Sequence, residues 1–141
     1  MRVNPSTWLI GYAAVLVAFG LFDGMWLGLI AMPWYQEAFS TLLREDFVTW
    51  PWILFYLGYG AAVMYLAILP SLGQPISHPF LAGAVLGATA YGTYNLTGYS
   101  TIAGWPLEMA LIDWTWGTGP TALVALAGSA ATRSVHKRNR S

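Results

Sequence analysis

The sequence contains no cysteine and very few charged residues, and both shortages narrow what the chain can do. Without cysteine it forms no disulfide, and it offers neither a thiolate nucleophile nor a thiolate ligand for a metal. Only 9% of its residues are charged, against about 25% in a typical soluble domain. Six Lys and Arg are balanced by six Asp and Glu, so the chain has no excess of basic charge with which to bind nucleic acid.

Hydrophobic residues take the place of the missing charge. They make up 57% of the 141 residues, and the mean hydropathy is +0.54. A soluble protein of this size cannot hide so much apolar surface, because its surface is large relative to its volume. We therefore predict an integral membrane protein, with residues 1–141 forming a single domain.

Four apolar segments are long enough to cross a bilayer, which takes about 20 residues of helix. We predict an all-α bundle of four transmembrane helices over residues 8–32, 50–69, 80–99 and 107–131. Prolines lie near several of these boundaries: Pro5 at the start of the first segment, Pro70 at the end of the second, and Pro79 and Pro106 before the third and fourth.

The connection between the first two segments, from Pro33 to Thr49, has a helical pattern of its own. Its apolar residues fall on one face of a helix and are Tyr35, Phe39, Leu42 and Leu43. We predict a short interfacial helix here, either a lid over the space beneath it or a bulky connector.

Basic residues predict the orientation in the membrane. Arg2 precedes the first segment. Four more basic residues follow the fourth segment: Arg133, Lys137, Arg138 and Arg140. Four spans place both termini on one side, and the positive-inside rule makes that side cytoplasmic. We expect a multi-pass protein of a bacterial inner membrane, in contact with membrane lipids.

Small and aromatic residues have ordinary roles in such a bundle. Glycines spaced every four residues let helix backbones approach closely, and two such sets occur: Gly20, Gly24 and Gly28, and Gly83 and Gly87. We expect them to pack helices within the monomer, with self-association as the alternative. Five tryptophans lie at predicted span ends, where indole rings favour the interface: Trp8, Trp34, Trp50, Trp52 and Trp105.

Three polar residues interrupt the apolar segments at a similar depth. Asp23, Asn95 and Asp113 are predicted about 6–14 Å below the outer ends of their helices, at 1.5 Å per residue. No Lys or Arg lies within any span to neutralise the carboxyls. Because a charge in hydrocarbon is costly, the two aspartates are either protonated or line a wet cavity, and they are candidates for function.

Aromatic residues accompany this polar layer. Trp26 follows Asp23 by three residues and Trp116 follows Asp113 by three, so each indole shares a helix face with a carboxyl. We predict a ligand site formed by these residues and by tyrosines at similar depth: Asp23, Trp26, Tyr56, Tyr59, Tyr91, Asn95, Tyr99, Asp113 and Trp116. The two histidines are far from this layer, and we expect no metal site.

Several motifs occur in a fixed order along the chain. They are Phe22-Asp23-x-x-Trp26-Leu27, Tyr91 to Thr97, Ala103-Gly104-Trp105-Pro106 and Asp113-x-x-Trp116-Gly117. Together they resemble a family of small bacterial membrane proteins, domain of unknown function twenty-one seventy-seven. The resemblance implies four transmembrane helices and a bacterial inner membrane, but no known activity. The motif of the third helix, Tyr91 to Thr97, usually has an aspartate in this family where this chain has Asn95, which leaves one carboxyl fewer here.

Three functions fit these features, and the sequence leaves the cofactor, if any, unidentified. The first is an outward-facing intramembrane pocket that binds a small amphipathic ligand or lipid, since aromatic walls with a few polar groups are typical of ligand sites. The second is a non-catalytic accessory subunit of a larger membrane complex. The third is a membrane enzyme that modifies a lipid or isoprenoid with Asp23 as the acid and Asp113 as the base.

Overall fold

The computed structural model describes residues 3–141 and contains helices but no strand within that range. Four helical rods follow one another: α1 (Pro5–Ala38), α2 (Trp50–Ser71), α3 (Ser77–Thr101) and α4 (Leu107–Arg138). The rods are antiparallel to their chain neighbours and are joined by short connections. Two of these connections turn at glycines with positive φ, Gly73 at 86° and Gly104 at 84°, a conformation that costs glycine little.

The first rod is longer than the sequence predicts. It begins where expected: Pro5 occupies the first turn, and the Asn4 side chain caps the helix by accepting from the Ser6 N–H at 3.3 Å. It then continues to Ala38, past the predicted end at residue 32. The separate interfacial helix predicted from Pro33 to Thr49 is not confirmed: its only helical part, Met32–Ala38, continues α1, and residues 39–49 form turns, bends and irregular backbone.

Both α1 and α2 contain a stretch of wider π-helix just before a proline. In α1 it covers Trp26–Ala31, two residues before Pro33, and in α2 it covers Met64–Ile68, two residues before Pro70. A proline has no N–H to donate, and its ring clashes with the carbonyl four residues earlier in a regular α-helix. The wider turn relieves that crowding, and it departs from the α-helical period that a sequence pattern follows.

The most extensive helix contact is between α3 and α4, and glycines permit it. A Cβ added at Gly87 would lie 2.4 Å from the Gly117 carbonyl oxygen, and one at Gly83 would lie 2.6 Å from the Ala125 Cβ. The backbones therefore touch where only glycine fits, as we expected of Gly83 and Gly87. Gly117 is equally constrained, since a Cβ there would overlap the ring of Tyr91.

The packed core occupies the half of the molecule that contains the chain termini. Val15, Val63, Met64 and Val124 are completely buried there. The ends of α1 and α4 are also joined, because the Asn139 amide donates to the Thr7 hydroxyl at 3.1 Å. The start of α1 and the end of α4 thus lie at one end of the bundle, and Arg2, which we used to predict orientation, lies outside the described residues.

Two of the rods are long and apolar enough to cross a membrane. They are Pro5–Ala38, with 34 residues, and Trp50–Ser71, with 22. The other two have 25 and 32 residues but are less apolar, because glycine, threonine and the basic end of α4 dilute their hydrophobic residues. The structure is therefore all-helical with two candidate membrane spans.

Candidate functional site

A cavity of about 400 Å³ lies in the half of the bundle opposite the packed core. All four rods and the connection after α1 contribute to its wall. The wall consists of Asp23, Trp26, Leu27, Met32, Tyr35, Leu43, Phe47, Trp52, Phe55, Tyr56, Ala90, Tyr91, Tyr94 and Asp113. Its volume is in the range of small-molecule sites, about 300–1,000 Å³. Its wall holds two carboxyl groups and no Lys, Arg or His.

Asp113 is held in place by an amide from the neighbouring helix. The Asn95 Nδ2 donates to the Asp113 Oδ2 at 2.8 Å and also to the Tyr91 backbone carbonyl at 3.0 Å. Asn95 is 1% exposed, so both hydrogen bonds are shielded from competing water. The contact joins α3 to α4 at the floor of the cavity.

Asp23 has a different partner, the indole of Trp116. The Trp116 Nε1 donates to the Asp23 Oδ1 at 3.5 Å, which is long for such a bond. The Trp116 ring also stacks on that of Trp26, with centroids 4.7 Å apart and planes 13° from parallel. The sequence motifs of α1 and α4 therefore pack against each other, each with an aspartate and a tryptophan.

Two polar atoms in this pair of motifs have no hydrogen-bond partner among residues 3–141. They are the Asp23 Oδ2 and the Trp26 Nε1, and both are buried. The Tyr56 hydroxyl is near Asp23, and the Trp26 indole is near the Asp113 carboxyl, but neither pair forms a hydrogen bond of normal geometry. Native structures satisfy most buried polar atoms, so an acceptor and a donor without partners that face one cavity are unusual.

The predicted ligand residues divide into three groups. Five of them line the cavity: Asp23, Trp26, Tyr56, Tyr91 and Asp113. Three support it from behind: Asn95 and Trp116 hold the carboxyls, and Tyr59 is hydrogen-bonded to Thr121 at 3.0 Å within the core. Tyr99 is 47% exposed and is not part of the wall, so the structure does not bring it together with the other predicted residues. Its helical face turns outwards near the end of α3.

Several wall residues were not predicted to be part of a site. Tyr35, Leu43 and Phe47 come from the end of α1 and the connection after it, which covers the cavity although it is not a helix. Trp52 was assigned to the interface from its place at a span end, yet it also forms part of the wall. The apolar spacing of Tyr35 and Leu43 was the one sequence signal for these residues. Phe47 gave none, because irregular backbone has no sequence period.

A groove of about 630 Å³ continues from the cavity along the outside of α1 and α2. The two spaces share wall residues, namely Asp23, Leu27, Met32, Trp52 and Tyr56. Gly20, Gly24 and Gly28 line the groove, and a Cβ added at any of them would meet nothing within 4 Å. Among residues 3–141 these glycines therefore meet no neighbouring helix, in contrast to the packing within the monomer that we expected, and self-association stays a prediction.

Comparison with known proteins places the chain in a family. No curated protein and no solved structure matches it significantly. The family described as "Predicted membrane protein (DUF2177)" matches residues 8–130, which include both aspartates, all of α2 and α3, and most of α1 and α4. The chain is therefore a member of this family of predicted membrane proteins, whose function is unknown.

Proposed function

We propose that this protein binds a small amphipathic molecule in the intramembrane cavity next to Asp23 and Asp113. In this proposal all four rods cross a bacterial inner membrane, the termini are cytoplasmic, and the cavity lies in the outer half. The lengths of α3 and α4, 25 and 32 residues, support the four crossings. At 1.5 Å per residue even the shorter exceeds the hydrocarbon thickness of about 30 Å.

The observation that carries the proposal is the pair of buried atoms without partners, the Asp23 Oδ2 and the Trp26 Nε1. Leaving such an atom unsatisfied costs about 1–3 kcal/mol. A ligand with both a donor and an acceptor would recover that energy at both atoms. The aromatic wall would hold the apolar part of the same molecule, through rings such as Phe55, Tyr56 and Tyr91.

The different surroundings of the two carboxyls support a second candidate, an enzyme that modifies a lipid. Asp113 is fixed by Asn95, whereas Asp23 keeps one oxygen free. Carboxyls in unlike environments can divide the roles of acid and base. Comparing the lipids of cells with and without the gene tests this candidate, and identical lipid pools would contradict it.

Native mass spectrometry of protein released gently from its own membrane tests the binding proposal. We expect a discrete co-retained molecule on the wild-type protein. On Asp23→Asn we expect about tenfold less of it, because the substitution replaces the carboxyl acceptor with a weaker amide acceptor. Asp46→Asn is the matched control, since Asp46 is exposed on the connection after α1. Equal retention by wild type and Asp23→Asn, or no retained molecule at all, would contradict the proposal.

A further inference from the structure

We propose that the ligand is a single-chain lipid with an amino-alcohol head, whose ammonium binds Asp23 and whose tail lies in the groove between α1 and α2. This inference rests on the binding function proposed above and adds the chemical class of the ligand. It also adds a route by which the ligand enters, since the groove opens sideways towards the surrounding lipid.

Charge complementarity argues for a cationic head. The cavity wall carries two carboxyl groups and no basic side chain, and Arg44, on the connection above, is exposed and outside the wall. A phosphate or carboxylate head would add negative charge beside Asp23 and Asp113 in a medium that screens poorly. An ammonium supplies the missing countercharge and donates to the free Asp23 Oδ2.

The remaining features of the wall suit the same head. A cation is attracted to the faces of aromatic rings, and the wall includes Trp26, Trp52 and Tyr56 close to Asp23 in the fold. The Trp26 Nε1 lies near Asp113 without a hydrogen bond of normal geometry, and it is a donor, which an ammonium cannot satisfy. A hydroxyl oxygen beside the nitrogen can accept that N–H, so the head needs both groups.

The groove has the shape that a single hydrocarbon tail requires. α1 and α2 touch at their inner ends, where the Tyr12 hydroxyl donates to the Leu57 carbonyl at 2.7 Å and Gly60 leaves no room for a Cβ beside Leu16. Towards the cavity they part, and the groove extends along α1 from Leu16 to Gly28. Twelve residues of helix measure about 18 Å, long enough for much of a lipid tail.

Asp23 connects the two spaces. It lines both the cavity and the groove and is 9% exposed, so its free oxygen is buried at the junction. Gly20, Gly24 and Gly28 keep the adjacent path open, since any larger side chain there would enter the groove. A head at Asp23 therefore places its own tail in the groove.

Photolabelling in phospholipid nanodiscs tests this arrangement. The probes are a sixteen-carbon amino alcohol, the corresponding diol and the corresponding hydroxy acid, each with a diazirine near the tail end. Labelled peptides are identified by mass spectrometry. We expect the amino alcohol to label α1 around Gly20 and α2 around Ile53 about tenfold more than the diol, as a charge-assisted hydrogen bond implies, and the acid least.

Two kinds of variant test the binding site of the head and that of the tail separately. Gly24→Leu should fill the groove and reduce labelling by the amino alcohol severalfold, and Gly20→Leu is a second variant with the same expectation. Gly119→Leu is the matched control, because Gly119 also borders open space but lies on α4 outside the groove. Asp23→Asn should reduce labelling by the amino alcohol to the level of the diol.

The outcomes distinguish this inference from the binding proposal on which it rests. If the diol or the acid labels as strongly as the amino alcohol and Asp23→Asn still weakens labelling, the head class is wrong but the pocket remains. If neither groove variant changes the labelling, the tail is elsewhere. If no probe labels the wild type more than Asp23→Asn, both the inference and its basis are contradicted.

Discussion

At the scale of single residues, the contact between Asn95 and Asp113 matters most for the integrity of the site. Asn95 donates to a carboxyl oxygen across the α3–α4 contact at 2.8 Å, and it is almost fully buried. A carboxyl that loses such a donor keeps its desolvation cost without compensation. Asn95 therefore fixes Asp113, whereas Asp23 keeps an oxygen free for another partner.

Replacing Asn95 tests this structural role. Asn95→Leu has a similar volume but no donor, so we expect a loss of about 1–3 kcal/mol in the free energy of unfolding. Thermal or denaturant unfolding in detergent measures it. Thr97→Val is the control, because Thr97 lies on the exposed face of the same helix. An Asn95→Leu protein as stable as the control would mean that the hydrogen bond is unimportant.

At the scale of elements, glycines in similar sequence patterns have opposite roles. Gly83 and Gly87 lie where α3 and α4 touch, whereas Gly20, Gly24 and Gly28 border the empty groove. Spacing alone cannot separate these cases, because four-residue spacing places glycines on one face without saying what that face meets. The neighbouring helix decides between close contact and open space.

A pair of alanine variants tests the difference. Gly87→Ala should lower the free energy of unfolding by about 1–3 kcal/mol, because its methyl group overlaps the Gly117 carbonyl and Thr121. Gly24→Ala meets nothing within 4 Å and should be neutral or stabilising by up to about 1 kcal/mol, since alanine favours helix. Unfolding in the same detergent compares them. Equal effects of the two would contradict the α3–α4 contact described here.

At the scale of the whole molecule, the number of membrane crossings determines where the cavity opens. If only the two most apolar rods crossed, the connection at Gly104 would lie on the same side as the termini, and α3 and α4 would have to leave the bundle, in which Trp105 packs against Phe39 at the opposite end. If all four cross, it lies on the opposite side, together with the connection after α1. The polar layer faces the outside only in the second arrangement.

Reporter fusions distinguish the two arrangements. With four crossings we expect alkaline phosphatase to be active when inserted after Glu45 or Gly104 and inactive after Gly73 or Ser141. A cytoplasmic fluorescent reporter should show the reverse pattern. Inactive phosphatase after Gly104 would leave two crossings, and active phosphatase after Ser141 would reverse the proposed orientation.

Much of this architecture could be predicted from the sequence. Composition and apolar length predict helices in a lipid environment, since they depend only on which residues are present and how far a run extends. The polar layer was also predictable, because depth along a helix follows from counting residues. Asp113 and Asn95 were placed at one level in this way, and the structure joins them directly.

The remaining features depend on tertiary structure. The π-helical stretch Trp26–Ala31 departs from the α-helical period, and the irregular backbone at Leu43 and Phe47 has no period that a pattern could reveal. The groove exists because α1 and α2 touch at one end and part at the other. Sequence determines what each helix can bury, but only packing decides which surfaces are left facing a space, because that depends on residues distant in the chain.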